Sequence, residues 1–275
     1  MSDHVLLSIA GSDSSGGAGI QADLKTFAAH RVYGAAVITA LTAQNTMGVT
    51  AVHASPPAFV KAQIDAVCSD LDVAGVKTGM LFDAAIIGAV CDGLIEALSR
   101  RRFPVVVDPV LISKSGHALL ADDAVTTLRD RLLPLATLVT PNLPEAARLV
   151  GFDVVDEDSA VRAGRALIAC GAQAALIKGG HGTGSTVVDL LVTATDVVPI
   201  TTMRIDTQHT HGTGCTLSSA IAVGLARGVA LEDAVRDAIA YVHTAIVRAP
   251  GLGHGHGPLH HLHPFDPPVD VDGRA

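Results

Sequence analysis

Asp206-Thr-Gln-His-Thr-His-Gly-Thr-Gly-Cys-Thr-Leu-Ser-Ser-Ala-Ile-Ala-Val-Gly-Leu-Ala-Arg-Gly228 decides how this chain is read. A polar run ends in Gly212-Thr213-Gly214-Cys215, and Leu217, Ile221 and Leu225 follow at helical spacing. Gly228 stands where a left-handed glycine closes a helix. A glycine-rich turn therefore feeds straight into a helix N-terminus, whose first N–H groups lack intrahelical acceptors and carry about half a positive charge. Two glycines let the backbone approach a ligand closely. The product is an anion hole suited to a phosphate. Cys215 sits at its lip, a position that eases loss of a thiol proton. The plainer alternative is a tight turn followed by a buried, inert cysteine.

The 275 residues are 49% apolar and 17% charged, enough for one large core. Aromatics make up only 3% and Trp is absent, so Ala, Val, Leu and Gly do the packing, as where helices cover a parallel sheet. A net charge of −8 with no basic stripe argues against nucleic acid as a partner. Phosphate ligands stay possible, because backbone N–H groups and a metal bind them locally. Cys68, Cys91, Cys170 and Cys215 are widely spaced, so disulfides are not expected. Met1-Ser-Asp-His lacks a basic leader, and no run reaches the roughly 18 uncharged apolar residues of a membrane span. A cytoplasmic protein without a membrane partner is expected.

Apolar runs at 5–10, 35–41, 49–54, 75–79, 104–108, 138–140, 174–178, 186–192 and 196–201 read as strands. Helical periodicity carries Ile20, Leu24 and Phe27, then Val60, Ile64 and Val67 behind Pro56-Pro57. Further helices are predicted over 84–101 behind an Asp83 cap, 122–133, 143–149 behind an Asn142 cap, 158–170 and 231–247. The alternation predicts an α/β chain of βαβ units, with a mainly parallel sheet covered on both faces. The runs at 186–192 and 196–201 form an edge hairpin. No linker divides the chain, so residues 1–265 are expected to make one domain and 266–275 a disordered tail.

Asp13, Gln44, Met80, Asp108, Asn142 and Lys178 stand just past strand ends, the edge where open α/β sheets bind ligands. Gly17-Ala-Gly-Ile-Gln-Ala22 also fits a dinucleotide fingerprint, which wants an acidic residue about 20 positions on. Residues 24–64 contain no Asp or Glu, so that reading is set aside. No P-loop motif occurs. Asp108 is kept extended by Pro109 and either reaches into the crevice or caps a turn. Asn142-Leu-Pro-Glu145 is either a capping box or a place for functional polar groups. Asp108 and Glu145 together could hold Mg²⁺ beside substrate phosphates. Lys178, before Gly179-Gly180, is a cation for those phosphates or a snorkelling surface lysine. His254, His256, His260, His261 and His263 fit a closed metal site poorly and read better as a polar wall or anchor.

Taken together, these blocks resemble the bacterial hydroxymethylpyrimidine/phosphomethylpyrimidine kinases of the ribokinase-like superfamily. The matching stretches are Ile9-Ala-Gly-Ser-Asp-Ser-Ser-Gly-Gly-Ala-Gly-Ile-Gln-Ala-Asp-Leu-Lys-Thr26, Ala40-Leu-Thr-Ala-Gln-Asn-Thr46, Val76-Lys-Thr-Gly-Met-Leu81, Val107-Asp-Pro-Val110, Ser113-Lys-Ser-Gly116, Thr140-Pro-Asn-Leu-Pro-Glu145, Ile177-Lys-Gly-Gly180, Thr210-His-Gly-Thr-Gly-Cys-Thr216 and Gly255-His-Gly-Pro-Leu-His-His261. The likeness covers roughly residues 5–265. It implies a three-layer αβα ribokinase-like fold and ATP- and Mg²⁺-dependent phosphorylation of a pyrimidine alcohol, then of its monophosphate, in thiamine biosynthesis. A homodimer is implied as well.

The resemblance also assigns residues. Gln44 would bind the aminopyrimidine edge, with Asp23 and the backbone at Gly11 and Ala18 lining the pocket and Met80 and Val107 as apolar walls. Gly212, Thr213, Gly214 and Cys215 would form the anion hole. Lys178 would face the ATP phosphates, with Asn142 and Thr210 on the nucleotide side and Asp108 and Glu145 organising Mg²⁺. Cys215 stands where many sugar kinases of that fold carry Asp as base, and a thiolate could take the hydroxyl proton. His209 and Gly182 depart from the family pattern. Residues 12–17 and 113–120 are lid candidates. The alternatives are a vitamin B6 kinase of the same fold and a catalytically silent ligand-binding regulator.

Overall fold

Side-chain alternation along the buried strands builds the layers. In β1 (Val5–Asp13) Leu6 joins one apolar cluster while Leu7 and Ile9 join another on the opposite face. The same split separates Val106 from Val105 and Val107 in β5 (Val105–Val107), and Leu176 from Ala175 and Ile177 in β7 (Ala175–Ile177). Both faces are therefore covered, as the period of two requires. The computed structural model describes residues 4–111, 122–180 and 184–267.

The remaining strands are β2 (Tyr33–Asn45), β3 (Gly48–Ala54), β4 (Val73–Thr78), β6 (Leu138–Val139), β8 (Thr186–Val192) and β9 (Val197–Met203). They form one sheet in the order β3-β2-β1-β4-β5-β6-β7-β8-β9. Pairing is parallel from β2 to β7 and antiparallel at both margins. The helices α1 (Gly19–Ala29), α7 (Thr213–Ala226) and α8 (Leu231–Val247) pack on one face. The helices α2 (Pro57–Asp70), α3 (Ala84–Arg100), α4 (Asp122–Thr127), α5 (Leu143–Val150) and α6 (Glu157–Ala169) cover the other. This is the expected three-layer αβα arrangement. β1 continues to β2 on one side but pairs with β4 on the other. The chain thus reverses direction around β1, and a crevice opens above its C-terminal end.

Three local expectations change. β2 runs on to Asn45, because its far half leaves the layers and pairs with β3 in a projecting hairpin where alternation no longer reports burial. The predicted 122–133 helix breaks into α4, a wide turn over Leu128–Leu132 and a tight turn over Leu133–Leu135. Pro134 sits in that last turn and cannot donate to continue a helix. The tail is not loose at its start: Asp266 accepts from Arg248 at 3.0 Å and from His260 at 2.9 Å. The expected 113–120 lid, Gly182 and residues 268–275 lie outside the described residues.

The histidine-rich segment is a strap. The His254, Gly255 and His256 amides bond Thr46, the His211 amide bonds the Gly257 carbonyl, and the His260 amide bonds the Ala245 carbonyl. His261 is buried; its Nε2 meets the Thr216 hydroxyl at 3.0 Å, and its carbonyl accepts from Tyr241 at 2.6 Å. Burial, with Lys25 adding to it, pushes the His261 imidazole down to about 4. An unfolded histidine titrates near 6.5. The unfolded chain therefore binds more protons across that window, and stability falls as pH drops from about 6.5 towards about 4. The urea midpoint should decline over this range, and His261→Gln, which can still donate to Thr216, should flatten the decline; an unaltered slope would exclude His261 as a source of acid sensitivity.

Candidate active site

Two glycine-rich backbones meet above β1. Gly212 caps α7 in the left-handed region at φ 84°. A Cβ there would run into the Gly17 carbonyl oxygen, and a Cβ on Gly17 would run into the His211 ring. No side chain fits between the 13–19 loop and the start of α7.

Asp13 locks this contact. Its Oδ2 accepts from His211 Nε2 at 2.7 Å, Ala18 N at 2.8 Å and Gly17 N at 3.1 Å. Its Oδ1 accepts from the Ser15 amide at 2.8 Å and the Ser15 hydroxyl at 2.7 Å. Burial opposes the charge, but the bonds from His211, Ser15 and Ala18 outweigh it and hold this carboxyl far below the usual range. An ionised Asp13 only accepts, so His211 Nε2 carries the shared proton. Gln44 Nε2 lies 3.4 Å from that nitrogen and cannot donate to it, which leaves the Gln44 amide hydrogens for a ligand. Gln44 Oε1 accepts from the Thr42 hydroxyl at 3.1 Å, and Ser14 exchanges two 2.8 Å bonds with the Gln44 backbone.

The first turn of α7 faces the same crevice. The Thr213 amide makes only a long 3.4 Å bond to the Thr210 carbonyl, while its hydroxyl reaches that oxygen at 2.8 Å. The Gly214 and Cys215 amides have no protein acceptor among the described residues, as a helix start requires. A Cβ on Gly214 would stand 3.3 Å from Lys178 Nζ and 3.4 Å from Asp108 Oδ2. The start of α7 at Gly214 thus packs against an ion pair.

That pair joins Lys178 Nζ to Asp108 Oδ1 at 3.1 Å, with the Asp108 carboxylate 3% exposed. The chain turns sharply beyond it: Val110 has φ 43°, unusual for a β-branched residue and a strain of the kind found at functional sites. Lys178 is placed by its amide bond to the Pro141 carbonyl at 2.9 Å, and Gly179 by a 2.8 Å bond to Asp189 Oδ1. Asn142 and Glu145 form a reciprocal capping box at α5, with bonds of 2.9 Å each way. Burial raises the pKa of Glu145; Lys178 works against this and the nearby Asp108 charge adds to it. For Lys178, burial would lower the pKa, but Asp108 and Glu145 more than offset it.

Two buried carboxylates therefore share one ammonium, and the surplus negative charge suits a cation. Mg²⁺ fits this donor set, since it takes one or two carboxylates and keeps several waters. Glu145 already accepts from the Asn142 and Leu111 amides, so it suits contact through water, and Asp108 direct contact. Among the described residues no group of three or more His, Cys, Asp or Glu is placed to hold a metal, the tail histidines included.

Several expected site residues sit differently. Asp23 lines no pocket: it is fully buried, takes Lys77 Nζ at 2.8 and 2.9 Å, and accepts from Ser8 at 2.6 Å and Ser219 at 2.7 Å. Its place on the sheet-facing side of α1 dictates this. Val107 is fully buried in the core, because alternation turns it away from the crevice. The Gly11 amide is spent on the Met80 carbonyl at 3.1 Å and the Ala18 amide on Asp13, so neither donates to a ligand. Met80 is half-buried at the strand exit, packed against Gly11. Cys215 is not acidified: burial pushes its thiol up to about 11, Asp23 and Asp108 add to that, and Lys77 offsets only part. His211 and Lys77 are residues that the sequence reading missed, and Asp13, placed by it at the crevice edge, turns out to hold His211. Lys77 carried a signal, since a lysine inside an apolar strand must find a carboxylate.

Gly212→Ala should fold yet lower kcat by about 100-fold or more, because the Cβ pushes the open amides off Asp108 and Lys178. Steady-state kinetics with a thermal melt as control would show it, and near-normal kcat would remove the Gly17 contact from the chemistry.

The phosphomethylpyrimidine kinase family profile matches residues 13–260. A hydroxymethylpyrimidine/phosphomethylpyrimidine kinase of Rhizobium meliloti (strain 1021) is 54% identical over 264 residues, covering 94% of this chain and 97% of its own. The Escherichia coli (strain K12) enzyme of the same name is 48% identical over 261 residues, again covering 94% and 97%. The crystal structure of a phosphomethylpyrimidine kinase from Clostridium difficile 630 superposes with TM-score 0.77 at 43% identity, over 88% of this chain and 99% of that one. An ADP complex of Bacillus subtilis pyridoxal kinase gives TM-score 0.87 at 36% identity, over 94% and 98%. The fold is thus the ribokinase-like one that these kinases share, and the chain belongs to the phosphomethylpyrimidine kinase family.

Proposed function

We propose that the kinase activity of this chain, transfer of the ATP γ-phosphoryl group to 4-amino-5-hydroxymethyl-2-methylpyrimidine and then to its monophosphate in thiamine biosynthesis, runs across the Gly212–Cys215 turn. The observation that carries the reading is Gly214, whose amide has no protein acceptor among the described residues and whose Cα side packs against both Asp108 and Lys178. Phosphoryl transfer asks mainly for alignment and neutralisation of charge. The Gly214 and Cys215 amides receive the equatorial oxygens of the moving group. Lys178 offsets the charge on the leaving side, with Asn142 and Thr210 beside the nucleotide. Mg²⁺ held near Asp108 and Glu145 would supply further charge neutralisation between the ATP phosphates.

Gln44 turns its amide hydrogens to the pyrimidine edge, and Met80 closes the apolar side. Cys215 acts as a neutral thiol. A group titrating near 11 is not a thiolate at neutral pH, so it orients the acceptor hydroxyl by hydrogen bonding rather than stripping its proton beforehand. A loose transition state needs little prior deprotonation, and the hydroxyl proton passes to an oxygen of the transferred phosphoryl group as its bond to ADP breaks. In the second transfer the same thiol and amides hold the acceptor phosphate.

The same reading takes residues 1–265 as one domain and the protein as a cytoplasmic homodimer. No helix among the described residues is long and apolar enough to cross a membrane. Leu41, Met47, Val49 and Val52 are exposed on the β2–β3 hairpin, a surface suited to a second copy. Pyridoxal kinases share the fold at 32–36% identity, against 43–54% for relatives named for the pyrimidine. The pyrimidine is therefore the assigned acceptor.

Coupled ADP release should show turnover with the pyrimidine alcohol and higher kcat/KM than with pyridoxal; the reverse ranking would reassign the acceptor. Cys215→Ala should fold and lose most turnover, whereas wild-type kcat would exclude the thiol from the reaction. Gln44→Ala should raise the pyrimidine KM more than the ATP KM, and equal effects on both would contradict its role at the pyrimidine edge.

A further inference from the structure

Lys77 is a fully buried lysine that the reaction described above leaves unused, and it rises inside the fold directly below the anion hole. On β4 it neighbours Ser8 of β1, and α7 runs back over the same strand. Gly75 lies under Ala222 and Ala226, and Lys77 comes two residues nearer the crevice. Its ammonium reaches further still, to 2.9 Å from where a Cβ on Gly79 would stand, at the strand exit. The Asp23 carboxylate stays lower, held by Lys77, Ser8 and Ser219. Ser219 lies four residues after Cys215, just over one helical turn or about 6 Å further from the rim. The pair is therefore a dipole lying along the sheet, with its positive end towards residues 212–215 and its negative end sunk among serines.

Stability alone does not call for such a pair, since apolar residues of similar volume often replace buried ion pairs without loss. Its two charges are placed where they act on anions at the rim. We propose that Lys77, oriented by Asp23, is a positioning residue that biases the anion hole towards the charged acceptor of the second transfer. The inference rests on the phosphate reading of the Gly212–Cys215 turn. The pyrimidine alcohol is neutral, and its monophosphate carries about two negative charges near neutral pH. A field from below distinguishes them even though Lys77 touches neither. Asp108 and Lys178, just past the ends of β5 and β7, and Glu145 of α5 face the same space, and they are left intact by the variants below.

The test compares wild type, Asp23→Asn, and the double variant Lys77→Met with Asp23→Asn, which removes both charges and keeps similar volumes. Steady-state kinetics on both acceptors give the ratio of monophosphate KM to alcohol KM. That ratio should rise on the order of tenfold in the double variant and fall below wild type in Asp23→Asn, where the ammonium loses its partner charge. Inorganic phosphate binding by calorimetry should follow the same opposite order, and it needs no turnover. A purely structural pair would shift both acceptors alike and both variants in one direction, and either result overturns the proposal. If the double variant fails to fold, Asp23→Asn decides alone: an unchanged or raised ratio contradicts the inference. Wild type that binds inorganic phosphate but phosphorylates neither acceptor would fault the assigned reaction, and the calorimetric order would still judge Lys77.

Discussion

The Gly17 carbonyl and the Gly212 backbone lie so close that no side chain can stand between them, and this contact sets the geometry of the crevice. Asp13 holds it shut from one side by gripping His211 and the Gly17 and Ala18 amides. The strap behind His211 holds it from the other through Gly257. With α7 pinned there, its open amides fall beside Asp108 and Lys178, and Gln44 falls beside His211. Acceptor side and phosphoryl side are thus registered by backbone contact rather than by long, adaptable side chains.

Charge is arranged in two tiers around that contact. The lower tier, Asp23 with Lys77, is fully enclosed and neutral as a pair. The upper tier, Asp108 with Lys178 and Glu145, carries one carboxylate too many, and its most exposed member is Lys178, at 15%. Between them sits Cys215, kept protonated by burial and the nearby carboxylates, which outweigh Lys77 and the Gly19 amide. The net charge of −8 has no bearing here, because local amides and ammonium groups set the potential that a phosphate meets.

Much of this was legible in the residues because it is local. Strand runs, the Asn142–Glu145 capping box, the edge hairpin and the glycine turn before α7 are written in short-range patterns with one physical meaning each. The capping box shows that the plain and functional readings need not compete: the bonds that start α5 also fix Glu145 beside Asp108. What stayed hidden is non-local. Asp23 looks like a pocket residue until α1 is seen to face Ser8, Lys77 and Ser219, which lie on three other elements. His211 carries no signal of its own until its ring is found on Asp13, 198 positions away. The acidity of Cys215 depends on how dry its surroundings are, which spacing cannot report. The histidine-rich segment is the anchor expected of it, but its partners Thr46, His211 and Ala245 hide because glycine and histidine have no period.

If the open amides of α7 receive the phosphates, they must respond when phosphates arrive. Amide ¹⁵N–¹H spectra of the protein titrated with a non-hydrolysable ATP analogue and the pyrimidine monophosphate would report this at single residues. The Gly214 and Cys215 amide protons should move strongly downfield on saturation, well beyond amides in the middle of α7. Saturable binding that leaves those two signals unmoved would place the anion elsewhere and contradict the mechanism.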